Sequence, residues 1–146
     1  MLLTDAYFMQ LALNEAEKAL EKGEIPIGCV IVSNDLVIAK AHNMTETLND
    51  VTAHAEMQAF TAASEYLGSK YLTDCILYVT LEPCIMCFGA SYWTHIHKIV
   101  YGVADNKHKN NIDKKQLIHP KTQLIGGVLE EKCAKILNEF FEGKRR

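Results

Sequence analysis

The hydrophobic positions along the chain follow two different spacings. Between Asp5 and Lys22 apolar side chains recur every three or four residues, which predicts an amphipathic helix that Thr4 or Asp5 caps and Gly23 ends. Short continuous apolar runs rich in β-branched residues predict strands instead. The predicted strands cover residues 27–32, 36–41, 76–80, 99–102 and 123–126, and three more predicted helices cover residues 52–67, 83–94 and 128–141.

The order of these elements predicts an α/β fold class. A helix, then a hairpin turning at residues 33–35, then alternating helices and strands are typical of a sheet covered by helices. A helical crossover favours parallel strands, so the strand after each middle helix is expected to run parallel to its predecessor. We therefore expect a central mixed sheet of about five strands. No repeat or linker-like tract interrupts residues 1–146, which we expect to form a single domain.

The composition narrows the class of protein further. The chain is 49% hydrophobic and 23% charged, with a net charge of −3, which is ordinary for a globular domain. No apolar run approaches the roughly 18 residues of a membrane span, and the first residues lack the basic segment of a secretory signal. Five cysteines at irregular spacings argue against a disulfide framework. We therefore expect a cytoplasmic protein without a membrane partner.

Two short segments carry the residue types of a metal site. His54 lies near the start of the second predicted helix, and Cys84 and Cys87 follow Pro83 at the start of the third. Cysteines three residues apart on a helix share one face and can bind the same ion. Together with His54 they supply three ligands, whereas a structural zinc site is normally closed by four. The pattern favours one catalytic Zn²⁺ per chain, with a fourth position for water.

Glu56 is the predicted catalytic residue because it follows His54 by two positions and is placed to accept a proton from an activated water. Each motif alone has an ordinary explanation, since Cys-x-x-Cys also serves redox or structural roles and a helical His-x-Glu is often a surface feature. In this order, with a proline before the first cysteine, they match the H-x-E…P-C-x-x-C signature of zinc nucleobase deaminases. We therefore predict a hydrolytic deaminase that cleaves an amidine C–N bond and releases ammonia.

Longer stretches around these motifs resemble the bacterial tRNA-specific adenosine deaminases, within the cytidine-deaminase-like superfamily. The resemblance extends over Gly23-Glu24-Ile25-Pro26-Ile27-Gly28, His42-Asn43, residues 50–56, residues 77–87, Tyr101-Gly102 with Asp105, Gly127-Val128-Leu129, Cys133, and Phe140-Phe141 before Arg145-Arg146. It implies a three-layer α/β/α fold and a homodimer. It also implies that the adenosine at the wobble position of a tRNA anticodon is converted to inosine.

The same resemblance implies which residues contact the substrate. It makes Asn43 a contact to the flipped nucleoside and Leu81 a part of its pocket, and it places Asp105 and Lys107 near the neighbouring nucleotides. It further places the C-terminal helix, with residues 145–146, on the RNA.

The local distribution of charge bears on an RNA partner. Five lysines lie in one loop, at positions 107, 109, 114, 115 and 121, and three more cations lie at positions 144–146. If both groups meet at the zinc site, they form a phosphate-binding surface despite the negative total charge. The alternative is an ordinary solvated surface loop.

Two other functions remain open on the sequence. One is a small-molecule deaminase acting on guanine, cytosine or a related heterocycle, because Tyr92-Trp93 and Asn49-Asp50 also occur in related guanine deaminases and residues 107–113 lack the glycines that many tRNA deaminases have there. The other is a non-catalytic, zinc-stabilised RNA-binding module. Glu56 argues against the second, since a structural metal site has no need of that carboxylate.

Overall fold

The computed structural model describes residues 3–106 and 112–144. The predicted substrate residue Lys107 and the cations at positions 145–146 lie outside these described residues. In chain order the elements are α1 (Asp5–Glu21), β1 (Gly28–Ser33), β2 (Leu36–His42), α2 (Ala55–Leu67), β3 (Cys75–Leu81), α3 (Ile85–Thr94), β4 (Lys98–Val103), a short 3₁₀ turn (Lys114–Gln116), β5 (Gln123–Ile125) and α4 (Glu130–Lys144).

The five strands form one mixed sheet in the order β2-β1-β3-β4-β5. The strand pair β1–β2 is an antiparallel hairpin whose turn residues, Asn34 and Asp35, both have positive φ, as the common two-residue hairpin turn requires. The α3 crossover makes β4 parallel to β3, and β5 pairs parallel to β4. Strand β3 also has the direction of β2 but pairs antiparallel with β1, which lies between them. The predicted α/β class and mixed sheet are confirmed.

Helices cover both faces of the sheet and give the molecule its three layers. On one face α1 and α4 pack over Val30, Tyr78 and Val100. On the other face α2 and α3 pack over Ile31, Leu77 and neighbouring residues. Since successive side chains of a strand point to opposite faces, the nearly continuous apolar runs of β1, β3 and β4 serve both cores.

Helices α2 and α3 begin later than the sequence pattern predicted. Their first residues are Ala55 and Ile85, where helices were expected from residues 52 and 83. The difference arises because His54 and Cys84 have extended backbones and occupy the N-cap positions. None of the helices in the described part of the chain combines the length and the apolar character needed to cross a membrane.

Candidate metal centre and active site

The site lies at the sheet edge where β2, β3 and β4 end and β1 begins. Strand β2 leads into Asn43, and β3 leads through Glu82 and Pro83 into Cys84. The carboxyl ends of parallel strands are where α/β folds commonly place their ligands, because helices begin there and loops diverge. The N-termini of α2 and α3 meet at this edge.

Three potential metal ligands converge between the two helices. Nδ1 of His54 lies 3.5 Å from Sγ of Cys84 and 3.6 Å from Sγ of Cys87. Within the described residues this is the set of three potential ligands whose atoms all lie within 4.8 Å of one another. The side chains predicted to bind the ion are therefore brought together by the fold.

The donor set fits Zn²⁺. A tetrahedral zinc ion with Zn–N of about 2.0–2.1 Å and Zn–S of about 2.3 Å separates nitrogen and sulfur by roughly 3.6 Å. The two separations from His54 Nδ1 to the sulfurs, 3.5 and 3.6 Å, match that spacing. One histidine and two cysteines leave a fourth tetrahedral position, as in catalytic zinc sites.

The two cysteines differ in acidity. A hydrogen bond from the Cys87 thiol, with a further one from His54, lowers the pKa of Cys84 to about 4, although burial acts in the opposite direction. The same shared proton, together with burial, raises the pKa of Cys87. The hydrogen bond to Cys84 raises the pKa of His54. The lowered pKa of Cys84 favours its thiolate, which is the form that binds a metal.

Glu56 lies in the first turn of α2 and is 4% exposed. Burial raises the pKa of its carboxyl group to about 7. A general acid or base works best when its pKa is close to the working pH, since it must both accept and release a proton. Glu56 lies outside the three-ligand set and lines the same cavity as His54 and Cys84.

Gln58 connects the two segments that carry these groups. Its Nε2 donates to the carbonyl oxygen of His42 at 2.8 Å and to that of Ala53 at 3.2 Å. The first bond holds the end of β2, and the second holds the residue before His54. The start of α2 is thereby fixed to the strand that leads into Asn43.

A cavity of about 500 Å³ lies over the ligands. This volume falls in the usual range of small-molecule sites. Asn43, Leu81 and Asp105, the substrate contacts expected from the resemblance, all line it. Asn43 is 4% exposed and therefore lines the cavity from a buried position.

Several residues of the cavity were not among the sequence predictions. They include Thr45, which follows Asn43, and one face of α4 formed by Ala134, Leu137, Asn138 and Phe141. The apolar members of this face recur at helical spacing in the sequence, which indicated a buried face but not what it covers. Glu82 also lines the cavity, and its Oε1 accepts a hydrogen bond of 2.9 Å from the backbone N–H of Asp105.

Lys114 belongs to the same edge of the site. Its Nζ donates to the carbonyl oxygen of Pro83 at 3.2 Å and lies 3.9 Å from a carboxylate oxygen of Glu82. Its side chain is 15% exposed. Lys114 was predicted to belong with the other loop lysines to a phosphate-binding surface at the site or, as the alternative, to a solvated loop. In the structure it holds the segment that precedes Cys84. Lys115 and Lys121 are exposed.

The sequence profile of the cytidine and deoxycytidylate deaminase zinc-binding region matches residues 3–103. This span includes the three potential ligands and Glu56. The chain belongs to this deaminase family. It is therefore a zinc-dependent hydrolytic deaminase, and the donor geometry agrees with one Zn²⁺ per chain.

Relatives of the deaminase with curated names extend the comparison to its full length. It is 45% identical to the tRNA-specific adenosine deaminase of Aquifex aeolicus (strain VF5) over 145 residues, which cover 95% of each chain. A solved structure described in a study of A-to-I editing by tRNA:A34 deaminases superimposes with a TM-score of 0.81 at 40% identity, covering 90% of this chain and 99% of that one. The guanine deaminase of Bacillus subtilis superimposes with a TM-score of 0.67 at 39% identity, covering 70% of this chain and 66% of that one.

Proposed function

We propose that the deaminase converts the wobble adenosine of a tRNA anticodon to inosine. The observation that carries the proposal is the cavity of about 500 Å³, which His54, Cys84 and Glu56 line together with Asn43. Bases of a single-stranded loop are readily turned outward into such a pocket, at a cost of a few kcal/mol. The two full-length relatives that act on tRNA support this substrate over a free base.

His54, Cys84 and Cys87 would hold the zinc ion. The chemistry that zinc supplies when bound is a water acidic enough to act as a nucleophile near neutral pH. The overall reaction adds water to C6 of adenosine and breaks the bond from C6 to the exocyclic amine, giving inosine and ammonia.

Glu56 moves the protons of this reaction. Its carboxylate accepts a proton from the attacking water and passes it to the ring nitrogen, and it then serves as the acid for the departing amine. Its burial and its pKa near 7 suit both roles. Asn43 offers both a donor and an acceptor to the nucleoside, and Leu81 bounds the pocket. We place Asp105 and Lys107 near the adjoining nucleotides.

We infer that the deaminase acts as a homodimer. Helix α3 carries three aromatic residues, of which Phe88 is wholly buried in the core. Tyr92 and Trp93 remain 37% and 74% exposed, with their rings 5.5 Å apart. Exposed, neighbouring aromatic rings are enriched where protein surfaces meet.

The dimer is tested by sedimentation and by the substitution Trp93→Asp. We expect the wild-type protein to sediment at twice the 16.4 kDa chain mass and the variant to shift toward the monomer. A wild-type monomer at micromolar concentration would refute the dimer.

We further propose that residues 1–146 form one deaminase domain and that it works in the cytoplasm, where tRNA is modified.

The substrate is tested by measuring ammonia release from an anticodon stem-loop with adenosine at the wobble position and from free guanine, cytosine and adenosine. We expect kcat/KM to be highest on the stem-loop. The Glu56→Gln variant, prepared in parallel, excludes a contaminating deaminase.

Binding of the stem-loop should weaken steeply with salt if lysines contact its phosphates. Each such contact should add up to about one unit to the slope of log affinity against log salt concentration.

Guanine deamination is the second candidate function, supported by the 39% identity to the Bacillus subtilis guanine deaminase. That likeness covers 70% of this chain, whereas the adenosine deaminase of Aquifex aeolicus is matched over 95%. A higher kcat/KM on free guanine than on the stem-loop would favour this alternative.

A further inference from the structure

Glu24 is a charged side chain that the deamination chemistry does not use, although it lies close to the site. It belongs to the connection between α1 and β1 and is completely buried. A carboxylate removed from water is costly unless hydrogen bonds replace its hydration. The partners that replace it therefore show what Glu24 does.

The partners of Glu24 all lie in the segment that follows β2. One carboxylate oxygen accepts the backbone N–H of Glu46 at 3.1 Å. The other accepts the backbone N–H and the hydroxyl group of Thr47, each at 2.6 Å. Burial by itself raises the pKa of Glu24, but these bonds, with one from the Thr45 side chain, outweigh it and hold the pKa below its ordinary value. The carboxylate is thus fully charged at neutral pH.

The segment that Glu24 holds forms a wall of the cavity. Asn43 and Thr45 line the cavity from this segment, and Ile25 and Ile27 line it from the connection that carries Glu24. The carboxylate therefore joins two chain segments, about 20 residues apart in sequence, that both line the substrate pocket.

Apolar burial fixes this wall only in part, since Met44 is half-buried but the residues after Thr45 are exposed. Leu48 and Val51, the large apolar residues after Thr45 in the segment, are 54% and 84% exposed. The base of the segment is closed by backbone hydrogen bonds of 3.0 Å from Asn43 to Ile27 and from Met44 to Ala53. Beyond that base, backbone hydrogen bonds from residues 48–50 to Met44, Thr45 and Glu46 stay within the segment. The hydrogen bonds to Glu24 tie residues 45–47 to the connection before β1.

We propose that Glu24 is a positioning residue, whose buried carboxylate fixes residues 43–47 so that Asn43 and Thr45 form a preorganised wall for the nucleoside. The nucleoside as substrate rests on the proposed function. A wall fixed before binding reduces the ordering cost that binding would otherwise carry, so its loss is felt mainly in KM. Glu24 does not touch the reacting atoms, and kcat on bound substrate should change less.

The test compares Glu24→Gln with the matched control Glu21→Gln, which removes the same charge from an exposed position three residues earlier. Glutamine has the same shape, but its amide directs N–H groups at backbone donors. Unsatisfied buried donors typically change an equilibrium by about tenfold or more. We expect KM for the stem-loop to rise about tenfold in Glu24→Gln, with kcat within about threefold and an unchanged zinc content. Glu24→Asp, which keeps the charge, should recover part of the affinity.

A second measurement does not depend on catalysis. Amide hydrogen exchange of residues 43–47 should accelerate in Glu24→Gln and stay as in wild type in Glu21→Gln, because the single amide oxygen of glutamine can accept from only one of the Glu46 and Thr47 N–H groups, which are bound to different oxygens of Glu24. If Glu24→Gln does not fold, the same measurements of KM and hydrogen exchange are made on Thr47→Val. It removes one hydroxyl bond to the carboxylate, and a smaller rise in KM is expected.

The outcomes separate this inference from the proposed function. If the wild-type deaminase does not act on the stem-loop, the proposed function fails, and hydrogen exchange still reports on Glu24. If the wild type is active and Glu24→Gln keeps its KM, the positioning role is refuted. A lower melting temperature with unchanged KM and unchanged exchange in residues 43–47, or a loss of zinc, would refute it as well.

Discussion

Helices α1 and α2 lie on opposite faces of the same sheet and begin in opposite ways. The hydroxyl oxygen of Thr4 caps α1 by accepting the backbone N–H of Tyr7 at 3.1 Å, and Asp5 stands in its first turn. Helix α2 has His54 at its N-cap, with no side-chain hydrogen bond to its first turn. The acid in the first turn of α2 is Glu56, which is buried.

The two first-turn acids, Asp5 and Glu56, also differ in their surroundings and interactions. Asp5 accepts a hydrogen bond of 2.7 Å from the hydroxyl group of Tyr78, across the sheet from the site. Glu56 has its pKa raised to about 7 by burial. The start of α1 follows the rules that stabilise helices, whereas the start of α2 departs from them at the residues that we propose for metal binding and proton transfer. Sites of function are where a fold is expected to give up local stability.

The largest expected effect comes from removing a ligand. His54→Ala should lose both zinc and turnover, because two cysteines alone leave the ion with too few protein ligands. Cys84→Ala and Cys87→Ala should behave alike. Metal analysis and ammonia release measure the result, with the exposed His97→Ala as the control. Full zinc content in His54→Ala would show that the start of α2 supplies no metal ligand.

The next effect separates the two acids. Glu56→Gln should keep its zinc but lose turnover by about 10²- to 10⁴-fold, the usual contribution of general acid–base catalysis. The matched change in α1, Asp5→Asn, should leave turnover unchanged, since Asp5 contacts Tyr78 on the other face. Single-turnover kinetics on both zinc-loaded variants make the comparison. Near-normal rates in Glu56→Gln would mean that another group moves the protons.

A smaller effect is expected at the N-cap of α1. Thr4→Ala removes the acceptor for the Tyr7 N–H and should lower the free energy of unfolding by about 0.5–2 kcal/mol. Turnover at 25 °C should not change. Urea denaturation of Thr4→Ala and Thr4→Ser measures this, and serine, which keeps the capping oxygen, should retain most of the stability. Equal losses in both variants would contradict a capping role.

The smallest effect is expected at the N-cap of α2 and has the opposite sign. In metal-free protein, His54→Ser should raise the free energy of unfolding by about 0.5 kcal/mol, because serine is a favoured capping residue. With zinc present, wild type should be more stable than His54→Ser, because zinc binding to the native state stabilises the protein that keeps this ligand. Thermal unfolding with and without zinc tests both signs. A metal-free variant less stable than wild type would show that His54 also stabilises the fold without the ion.

The helices and strands could be predicted from the sequence because their hydrophobic spacing is a local property. The predicted starts of α2 and α3 were too early at Thr52 and Pro83, since the periodic pattern runs on into residues whose backbone is extended. The end of α2 was predicted correctly, as Gly68 adopts the left-handed conformation that glycine favours at a helix end.

The ligand set was predictable for a related reason. The spacing of Cys84 and Cys87 is fixed by one helical turn, and His54 opens a helix of its own. The deaminase signature assigns both segments to one site, and it can be recognised in the sequence before the fold is known. In contrast, nothing local indicated that Glu24 contacts Thr47 or that Lys114 contacts Pro83, because both pairs meet through the packing of distant segments.

The sequence by itself determined the elements of this deaminase, the residue types of its metal site and the reaction class that those residues serve. These follow from interactions within one helical turn or one strand, which residue order specifies directly. The tertiary structure decided the strand order, the meeting of His54 with the two sulfurs at 3.5 and 3.6 Å, and the walls of the cavity. Phe141 of α4 reaches the same cavity as Ile25, more than 100 residues earlier, because the packing of α4 against α1 and β4, and not separation along the chain, sets which side chains meet.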